Sequence, residues 1–294
     1  MAQIFGPDKR LHDDITIGQV GLGLIGGSMA KATKKHTFHR VEAYDLDPQT
    51  MKEALESGTI DAELRPETLS KCRLIMIAIK PSALVKWVEE NANHFGRDTI
   101  LVDLCGVKGY VNEKIKPLAE RYGFEYVGGH PMAGKEVSGF TNSNADLFRD
   151  ASMILCPELT TKDETLDTLK NFYLSLGFEE IVYSTPEEHD SIISYTSQLA
   201  HITSSAYIMS PTSRNRMGFT AGSYKDMTRV ARLDPDMWTE LFLDNADNLE
   251  FEVEELVNNL TEYMNALKNR DAEQLHALLE KGRDLKVTEP IENC

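Results

Sequence analysis

The stretch "GQVGLGLIGGSMAKATKK", residues 18–35, contains the pattern G-x-G-x-x-G at Gly21, Gly23 and Gly26. An apolar run precedes it, and a helical pattern follows that we place from Ser28 onward. In a dinucleotide site the first glycine makes a tight turn, the second lets the backbone approach a pyrophosphate, and the third lets the helix pack on the strand. The pattern therefore predicts a nucleotide-binding turn; a glycine-rich strand-to-helix connection in an unrelated α/β sheet is the alternative.

An acidic residue at the end of the next strand-like run indicates which dinucleotide is bound. In "VEAYDLD" the apolar run ends at Asp45, near the spacing at which an acid accepts hydrogen bonds from a ribose 2′-hydroxyl. Because a carboxylate repels the 2′-phosphate of NADP, the predicted cofactor is NAD. Asp47 is an alternative, but Asp45 ends the apolar run directly. Leu24 and Ile25, between the second and third glycines, belong to the same predicted cofactor site.

Strand-like runs alternate with helical patterns through the first part of the chain. That alternation predicts an α/β fold with a parallel sheet and helices on both faces, a Rossmann-type domain. The strand signals stop after "FEEIVYSTPEEHD", and the rest is helical. We therefore predict an NAD-binding domain at residues 1–185 and a helical domain at residues 186–294. The strand-like runs before that last one are "ITIGQVGLG", "HRVEAYDLD", "RLIMIAIKP", "DTILVDLCG", "GFEYVGGH" and "ASMILCPE".

Composition and charge limit the class of protein. With 294 residues, 41% of them hydrophobic and 27% charged, the chain can bury a sizeable core. A net charge of −16 disfavours nucleic acid and anionic membranes as partners, so a small anionic substrate needs a local cationic pocket. The cysteines form no CxxC pair, the N-terminus is polar, and no apolar run approaches the roughly 20 residues of a membrane span. We expect a cytoplasmic protein without disulfides or zinc. Its cysteines are Cys72, Cys105, Cys156 and Cys294.

An apolar stripe runs along the last helical segment with spacings of three and four residues. Such a stripe predicts one buried helix face, either within the chain or between two subunits. Its members are Leu249, Val253, Leu256, Leu260, Met264 and Leu267.

The stretch "YVGGHPMAGKEVSGF", residues 126–140, presents His130 at the end of a strand-like run. Pro131 favours an extended backbone at His130, and ligands of open α/β sheets bind at the carboxyl ends of strands. A histidine in a surface loop is the alternative. With "GLGLIGGS", "GGHPMAGKEVSG", "EEHDSIISYTSQLAH" and "DMTRVARLDPDMW" in this order, the sequence closely resembles the prephenate and arogenate dehydrogenases of tyrosine biosynthesis. The resemblance covers nearly the whole chain.

The resemblance implies a nucleotide-binding domain joined to an all-helical dimerisation domain, a homodimer, and an active site in the cleft between the domains. It places the family's catalytic histidine at His130, as hydrogen-bond acceptor for the ring hydroxyl of the substrate. It also implies that Arg229 anchors a substrate carboxylate, that Glu136 lines the entrance, and that His201 is another substrate-site residue. His189 matches the family as well, and the role expected for it is structural.

Two departures from the family pattern bear on the substrate site. Gly106 stands where the family often has a serine that hydrogen-bonds the catalytic histidine and the substrate, so backbone, water or another side chain is expected to orient the histidine. In the family's HLPH motif, Gln198 replaces the first histidine and Ala200 replaces the proline. Lys225 adds positive charge near the predicted substrate anchor, with solvated surface as the alternative; the same applies to Arg214, Arg216 and Arg232.

The reaction that the resemblance implies is the NAD-dependent oxidation and decarboxylation of prephenate. The cofactor takes a hydride, His130 takes the hydroxyl proton, and no metal is needed because the dienone is the electron sink. We expect kcat to fall on the acid side with an ionisation at about 6 to 7. Arogenate is the alternative substrate. The rival enzymes are dehydrogenases of β-hydroxy acids, which usually rely on a catalytic lysine in the helical part, and the rival from another class is a redox-silent NAD-binding regulatory protein.

Overall fold

Short runs rich in Val, Ile and Leu, separated by glycine-containing turns, form one eight-stranded β-sheet. The computed structural model describes residues 15–288. Its strands are β1 (Thr16–Val20), β2 (Arg40–Tyr44), β3 (Ala62–Glu63), β4 (Cys72–Ile77), β5 (Ile100–Asp103), β6 (Glu125–Pro131), β7 (Ser152–Cys156) and β8 (Glu180–Tyr183). They lie in the order β3-β2-β1-β4-β5-β6-β7-β8. The chain order reverses between β1 and β4, which is where open α/β sheets bind nucleotides.

The first six strands are parallel to one another, and the last two run in the opposite direction. β7 pairs antiparallel with β6, with His130 opposite Ile154, and β8 is parallel to β7. The prediction of a wholly parallel sheet was therefore wrong for β7 and β8. A parallel neighbour needs a crossover, usually a helix, from one end of the sheet to the other. The segment between β6 and β7 contains only a short 3-10 turn, Phe140–Asn142.

Helices cover both faces of the sheet, as predicted. On β4, Leu74 and Met76 belong to one hydrophobic cluster while Ile75 and Ile77 belong to the other, so alternate side chains are buried on opposite faces. The helices are α1 (Leu24–His36), α2 (Pro48–Glu56), α3 (Pro66–Leu69), α4 (Pro81–Asn91), α5 (Gly109–Tyr122), α6 (Asp163–Ser175), α7 (Pro186–Ile193), α8 (Leu199–Ile208), α9 (Gly222–Thr228), α10 (Pro235–Leu243), α11 (Ala246–Asn269) and α12 (Ala272–Thr288).

Helix α1 begins at Leu24, four residues before the predicted start at Ser28. Glycine has poor helix propensity, which by itself favours a helix start after Gly26 and Gly27. Both glycines are nevertheless buried within the first turns of α1, where a side chain would collide with neighbouring atoms. Close packing of the helix on the sheet therefore overrides propensity here.

The change from strands to helices occurs where the sequence predicts it. β8 ends at Tyr183, and α7 begins at Pro186, where the Thr185 side chain accepts a hydrogen bond from the Glu188 backbone. The first compact unit nevertheless continues to Ala246 and so includes α7 to α10. The division into domains at residue 186 stays a prediction.

The second compact unit, from Asp247 onward, contains nearly all of α11 and the whole of α12. The two helices are tied together by a hydrogen bond of 3.1 Å from the Tyr263 hydroxyl to the Leu278 carbonyl. On α11, Leu249 is buried, whereas Leu260, Met264 and Leu267 are each more than half exposed. Among the described residues, the second half of the predicted apolar stripe is therefore exposed, whereas its first half is buried or partly buried.

Candidate active site

The turn between β1 and α1 has the conformation that a dinucleotide site needs. Gly21 adopts a left-handed φ of 80°, which favours glycine, and a Cβ there would come within 2.6 Å of the Ala78 carbonyl oxygen. At Gly26 a Cβ would overlap the Gly21 carbonyl oxygen, so helix and strand approach too closely for a side chain. A Cβ at Gly23 would meet nothing within 4 Å among the described residues. The conformation and free space at the three glycines thus fit the roles that the sequence predicts, and their part in cofactor binding stays a prediction.

The start of α1 is suited to a phosphate. Within residues 15–288 no side chain caps this helix at Gly23, and its first turn contains no acidic residue. Leu24 and Ile25 are its first residues, so their backbone N–H groups lie among those that have no partner within a helix. Unpaired N–H groups and the positive end of the helix dipole favour an anion at this position. The residues of the turn thus fit the pyrophosphate of NAD.

Asp45, directly after β2, is held against the glycine turn. One oxygen of its carboxylate accepts a hydrogen bond of 2.7 Å from the Leu22 backbone N–H, and the other accepts one of 2.9 Å from the Asp47 N–H. Each carboxylate oxygen can accept more than one hydrogen bond, so both keep capacity for ribose hydroxyls. Asp47 instead caps α2, accepting from the Gln49 and Thr50 backbones. Because Asp47 is used as a helix cap, Asp45 is the better candidate of the two for binding the ribose hydroxyls.

His130 lies near the end of β6, at the same edge of the sheet as the glycine turn, because β1, β4, β5 and β6 are parallel. Its imidazole is partly buried, and its Nδ1 lies 2.8 Å from Nε2 of His189 on α7. Its Nε2 has no hydrogen-bond partner among the described residues. Desolvation, then the nearby His189 and Lys108, hold the pKa of His130 well below its usual range. His130 is therefore neutral at physiological pH.

A buried chain of hydrogen bonds continues from His189 to the start of α5. The Nδ1 atom of His189 lies 2.7 Å from Oδ1 of Asp190. The Asp190 carboxylate also accepts hydrogen bonds from the backbone N–H groups of Lys108, at 2.8 Å, and Gly109, at 2.7 Å. The His189 side chain is fully buried. The sequence assigned His189 only a structural role; its contact with His130 was missed.

A buried ion pair lies beneath the end of β6. The Lys108 ammonium group pairs with the Asp103 carboxylate, and both side chains are fully buried. Lys108 also donates to the Gly129 carbonyl at 2.6 Å, and the Tyr126 hydroxyl donates to Asp103 at 2.8 Å. With these additional hydrogen bonds the two charges are well satisfied, as a buried pair requires. The pair fixes the backbone that precedes His130.

Gly106 faces the catalytic candidate, as the resemblance implies. A Cβ at this position would lie 3.9 Å from Cε1 of His130 and 3.8 Å from the terminal methyls of Leu241. These are ordinary van der Waals distances, so glycine is not required by crowding. Gln198 is buried, donating to the Leu241 carbonyl at 3.1 Å and accepting from Asn245 at 2.8 Å. It therefore supports the segment of α10 that faces Gly106.

Two of the predicted substrate-site residues, Glu136 and Arg229, line an open cleft of about 570 Å³, and His201 lies near it without being part of the lining. Arg229 forms an ion pair with Glu136, and the Arg229 side chain is 65% exposed. The Nδ1 atom of His201 lies 3.0 Å from the Val230 carbonyl oxygen; because a carbonyl only accepts, Nδ1 is the donor. The His201 ring packs on Trp238, with centroids 3.7 Å apart. The cleft is lined by Glu136, Ile208, Thr228, Arg229, Ala231 and Arg232.

The structure thus brings the predicted residues together in three places: the glycine turn with Asp45, His130 with Gly106, and Glu136 with Arg229. Lys225 is exposed on α9 and is not among the residues that line the cleft. The packing of Trp238 against His201 was not predicted from the sequence, because an aromatic residue in a helix usually indicates a core position. Within residues 15–288, no group of three or more His, Cys, Asp or Glu is arranged to hold a metal ion, and no helix is long and apolar enough to cross a membrane.

A dinucleotide turn and a neutral histidine at one edge of the sheet are the parts that a nicotinamide-dependent dehydrogenase requires. Models of known families match on both sides of the strand-to-helix change. Residues 29–182 match the nucleotide-binding domain of prephenate dehydrogenase, and residues 185–281 match the dimerization domain of prephenate dehydrogenase.

Individual relatives agree with the family models. The chain is 30% identical to a prephenate dehydrogenase of Bacillus subtilis (strain 168) over 287 residues, 94% of this chain and 76% of the relative. The structure is similar to that of prephenate dehydrogenase from A. aeolicus in complex with hydroxyphenyl propionate and NAD+, with a TM-score of 0.81, 26% identity, and coverage of 93% and 97%. The arogenate dehydrogenase of Synechocystis superimposes with a TM-score of 0.78 at 24% identity, over 92% of this chain and 99% of that structure. This similarity shows a shared fold. The chain belongs to the prephenate dehydrogenase family, which confirms the predicted family and its NAD cofactor.

Proposed function

We propose that this chain oxidises and decarboxylates prephenate to 4-hydroxyphenylpyruvate with NAD, a step of tyrosine biosynthesis. Membership of the family supports the reaction class. The observation that carries the catalytic assignment is the His130 imidazole, whose Nδ1 contacts His189 while Nε2 has no partner among the described residues. It lies at the sheet edge where the glycine turn lies.

The chemistry requires a proton acceptor beside the substrate hydroxyl. Bound NAD supplies the hydride acceptor. His130 accepts the hydroxyl proton at Nε2 as the C4–H bond breaks, and CO₂ leaves as the ring becomes aromatic. Because desolvation holds the pKa of His130 below its usual range, the base stays neutral to a lower pH than the value of about 6 to 7 expected from the sequence. The buried pair of Lys108 and Asp103 keeps the backbone of β6 in place beside it.

Arg229 is the group proposed to hold a substrate carboxylate. A guanidinium can bind a carboxylate through two parallel hydrogen bonds, and in this structure the Glu136 carboxylate already pairs with it. An incoming carboxylate therefore competes with Glu136 for the same cation. His201, whose ring packs on Trp238, lies close enough to both charges for them to affect its pKa, which burial lowers. We place Glu136 at the entrance and His201 in the substrate site, with Lys225 contributing positive charge nearby.

We further propose a cytoplasmic homodimer formed through the C-terminal helices. The matched dimerization domain covers residues 185–281. The side chains of Leu260, Met264 and Leu267 form an exposed apolar face on α11, and burial against a second copy would remove them from water. The cytoplasmic location is proposed from the sequence, whose four cysteines form no CxxC pair; Cys72, Cys105 and Cys156 are buried, and Cys294 lies outside the described residues.

Steady-state kinetics with prephenate and arogenate, each with NAD and NADP, tests the proposed function. We expect prephenate with NAD to give the highest kcat/KM, followed through the absorbance of NADH. The control is His130→Asn, which keeps a polar side chain but supplies no base. Preference for arogenate would change the substrate. NAD binding without turnover of either substrate would instead favour the redox-silent regulatory protein.

A further inference from the structure

The two histidines and Asp190 form a directed chain of hydrogen bonds that the proposed reaction does not by itself require. His130 is joined to His189 at 2.8 Å, and His189 is joined to Asp190 at 2.7 Å. Building on the proposed function, we infer that His189, held by Asp190, is the positioning residue for His130. It keeps the proton of the neutral His130 ring on Nδ1 and leaves Nε2 as the acceptor.

The direction of each hydrogen bond follows from Asp190. Its two oxygens accept from the backbone N–H groups of Lys108 and Gly109, so this carboxylate is an acceptor. His189 must therefore donate from Nδ1. A neutral His189 has only one ring N–H, so its Nε2 is the acceptor in the contact with His130. The proton in that contact consequently belongs to His130 Nδ1, and the tautomer of His130 is fixed by the hydrogen bond at that nitrogen.

The surroundings of His130 and His189 favour the neutral form of both rings. Burial lowers the pKa of His189, and although the hydrogen bond to Asp190 opposes that shift, the direction remains downward. Lys108, from the start of α5, disfavours a further positive charge on either ring. Asp103, at the end of β5, acts in the opposite direction on His189 but is paired with Lys108. Both rings are therefore neutral before the reaction.

Because position 106 is a glycine, His130 needs another group to orient its ring. Gly106 offers no hydroxyl to orient His130, and its missing Cβ would lie 3.9 Å from His130 Cε1. His189 is the side chain that contacts the ring at Nδ1. When His130 takes the substrate proton at Nε2, its Nδ1–H bond to His189 becomes charge-assisted and stronger. The positioning residue thus also stabilises the charge that forms during the reaction.

The test compares His189→Leu, which cannot accept a hydrogen bond, with His189→Gln, whose amide oxygen can. We expect His189→Leu to lower kcat by about 10- to 100-fold, because it removes a hydrogen bond that becomes charge-assisted as His130 takes the proton. KM should change by less than about 3-fold, since ground-state binding is not affected. His189→Gln should recover most of the lost kcat. His39→Leu removes another buried imidazole, directly before β2, and serves as the matched control.

A second readout separates this inference from the proposed function. Nitrogen NMR of the labelled imidazoles, with His130 assigned through His130→Asn, reports the tautomer without any substrate. We expect the Nδ1–H form in the wild type and in His189→Gln, and the Nε2–H form in His189→Leu. If His130 keeps Nδ1–H in a folded His189→Leu variant, or if Leu and Gln lower kcat equally, His189 does not set the tautomer. Absence of dehydrogenase activity with the expected tautomers would overturn only the proposed function.

Discussion

Replacing Gly26 and Gly23, two glycines of the same turn, by alanine is predicted to damage different properties of the protein. At Gly26 a Cβ would overlap the Gly21 carbonyl oxygen and lie 3.0 Å from the Gly21 carbonyl carbon and 2.7 Å from Nε2 of Gln19. At Gly23, whose φ of −63° suits any residue, a Cβ would meet nothing within 4 Å among the described residues. Gly26→Ala should therefore damage the folded protein, and Gly23→Ala should damage the binding of NAD.

The size of the first effect follows from the atoms involved. Overpacking against a fixed backbone costs about 1–3 kcal/mol or more, and the gain from placing alanine in a helix offsets only about 0.5–1 kcal/mol of that. At the upper end of this cost, the free energy of unfolding falls by about 2 kcal/mol. For a compact unit as large as the first one, this corresponds to a decrease in Tm of roughly 4–8 °C. Gly23→Ala should cost less than about 1 kcal/mol, because only the helix cap changes.

The second effect concerns the space that Gly23 leaves open. A methyl group there prevents the backbone from approaching the pyrophosphate, so the affinity for NAD should fall more than about 10-fold, or about 1.4 kcal/mol. Thermal denaturation without cofactor and titration with NAD measure the two losses separately. Gly222→Ala, at the start of α9 and equally uncrowded, is the control. Wild-type NAD affinity in Gly23→Ala, or wild-type stability in Gly26→Ala, would refute this interpretation of the turn.

Three further outcomes are expected from the site residues. Asp45→Ser should narrow the preference for NAD over NADP by removing the repulsion of a 2′-phosphate; a wild-type preference for NADP in kcat/KM would contradict this role. Arg229→Ala should raise KM for prephenate by about 10- to 100-fold, the size of a hydrogen-bonded contact to a charge at an exposed position, with little change in NAD affinity. Lys225→Ala should raise KM for prephenate less than Arg229→Ala does. If Lys225→Ala raised KM more, Lys225 rather than Arg229 would be the residue that binds the substrate carboxylate. The acid limb of kcat against pH should lie below the usual histidine range, because desolvation lowers the pKa of His130, and it should disappear in His130→Asn; an unchanged profile in that variant would exclude His130 as the base.

The parts of the fold that depend on local sequence could be predicted, and those that depend on packing could not. Apolar runs such as Cys72–Ile77 identify central strands because both of their faces are buried. The two-residue strand Ala62–Glu63 carries no such signal and was missed. The direction of Ser152–Cys156 was predicted wrongly, since alternation of element types does not show that the preceding connection lacks a crossover helix.

The same distinction holds at the site. The glycine turn occupies six consecutive residues, so its chemistry could be inferred from the sequence alone. The orientation of His130 depends instead on a partner 59 residues away in the chain, and that partner is held through Asp190 by the backbone at the start of α5, 81 residues from Asp190. No spacing rule relates these positions, because only the packing of α7 beside α5 and β6 brings them together. The sequence shows that Gly106 lacks the family's serine hydroxyl; the structure shows that the ring nitrogen of His130 is already engaged by His189. A serine restored at position 106 would therefore meet an imidazole whose orientation another side chain has fixed.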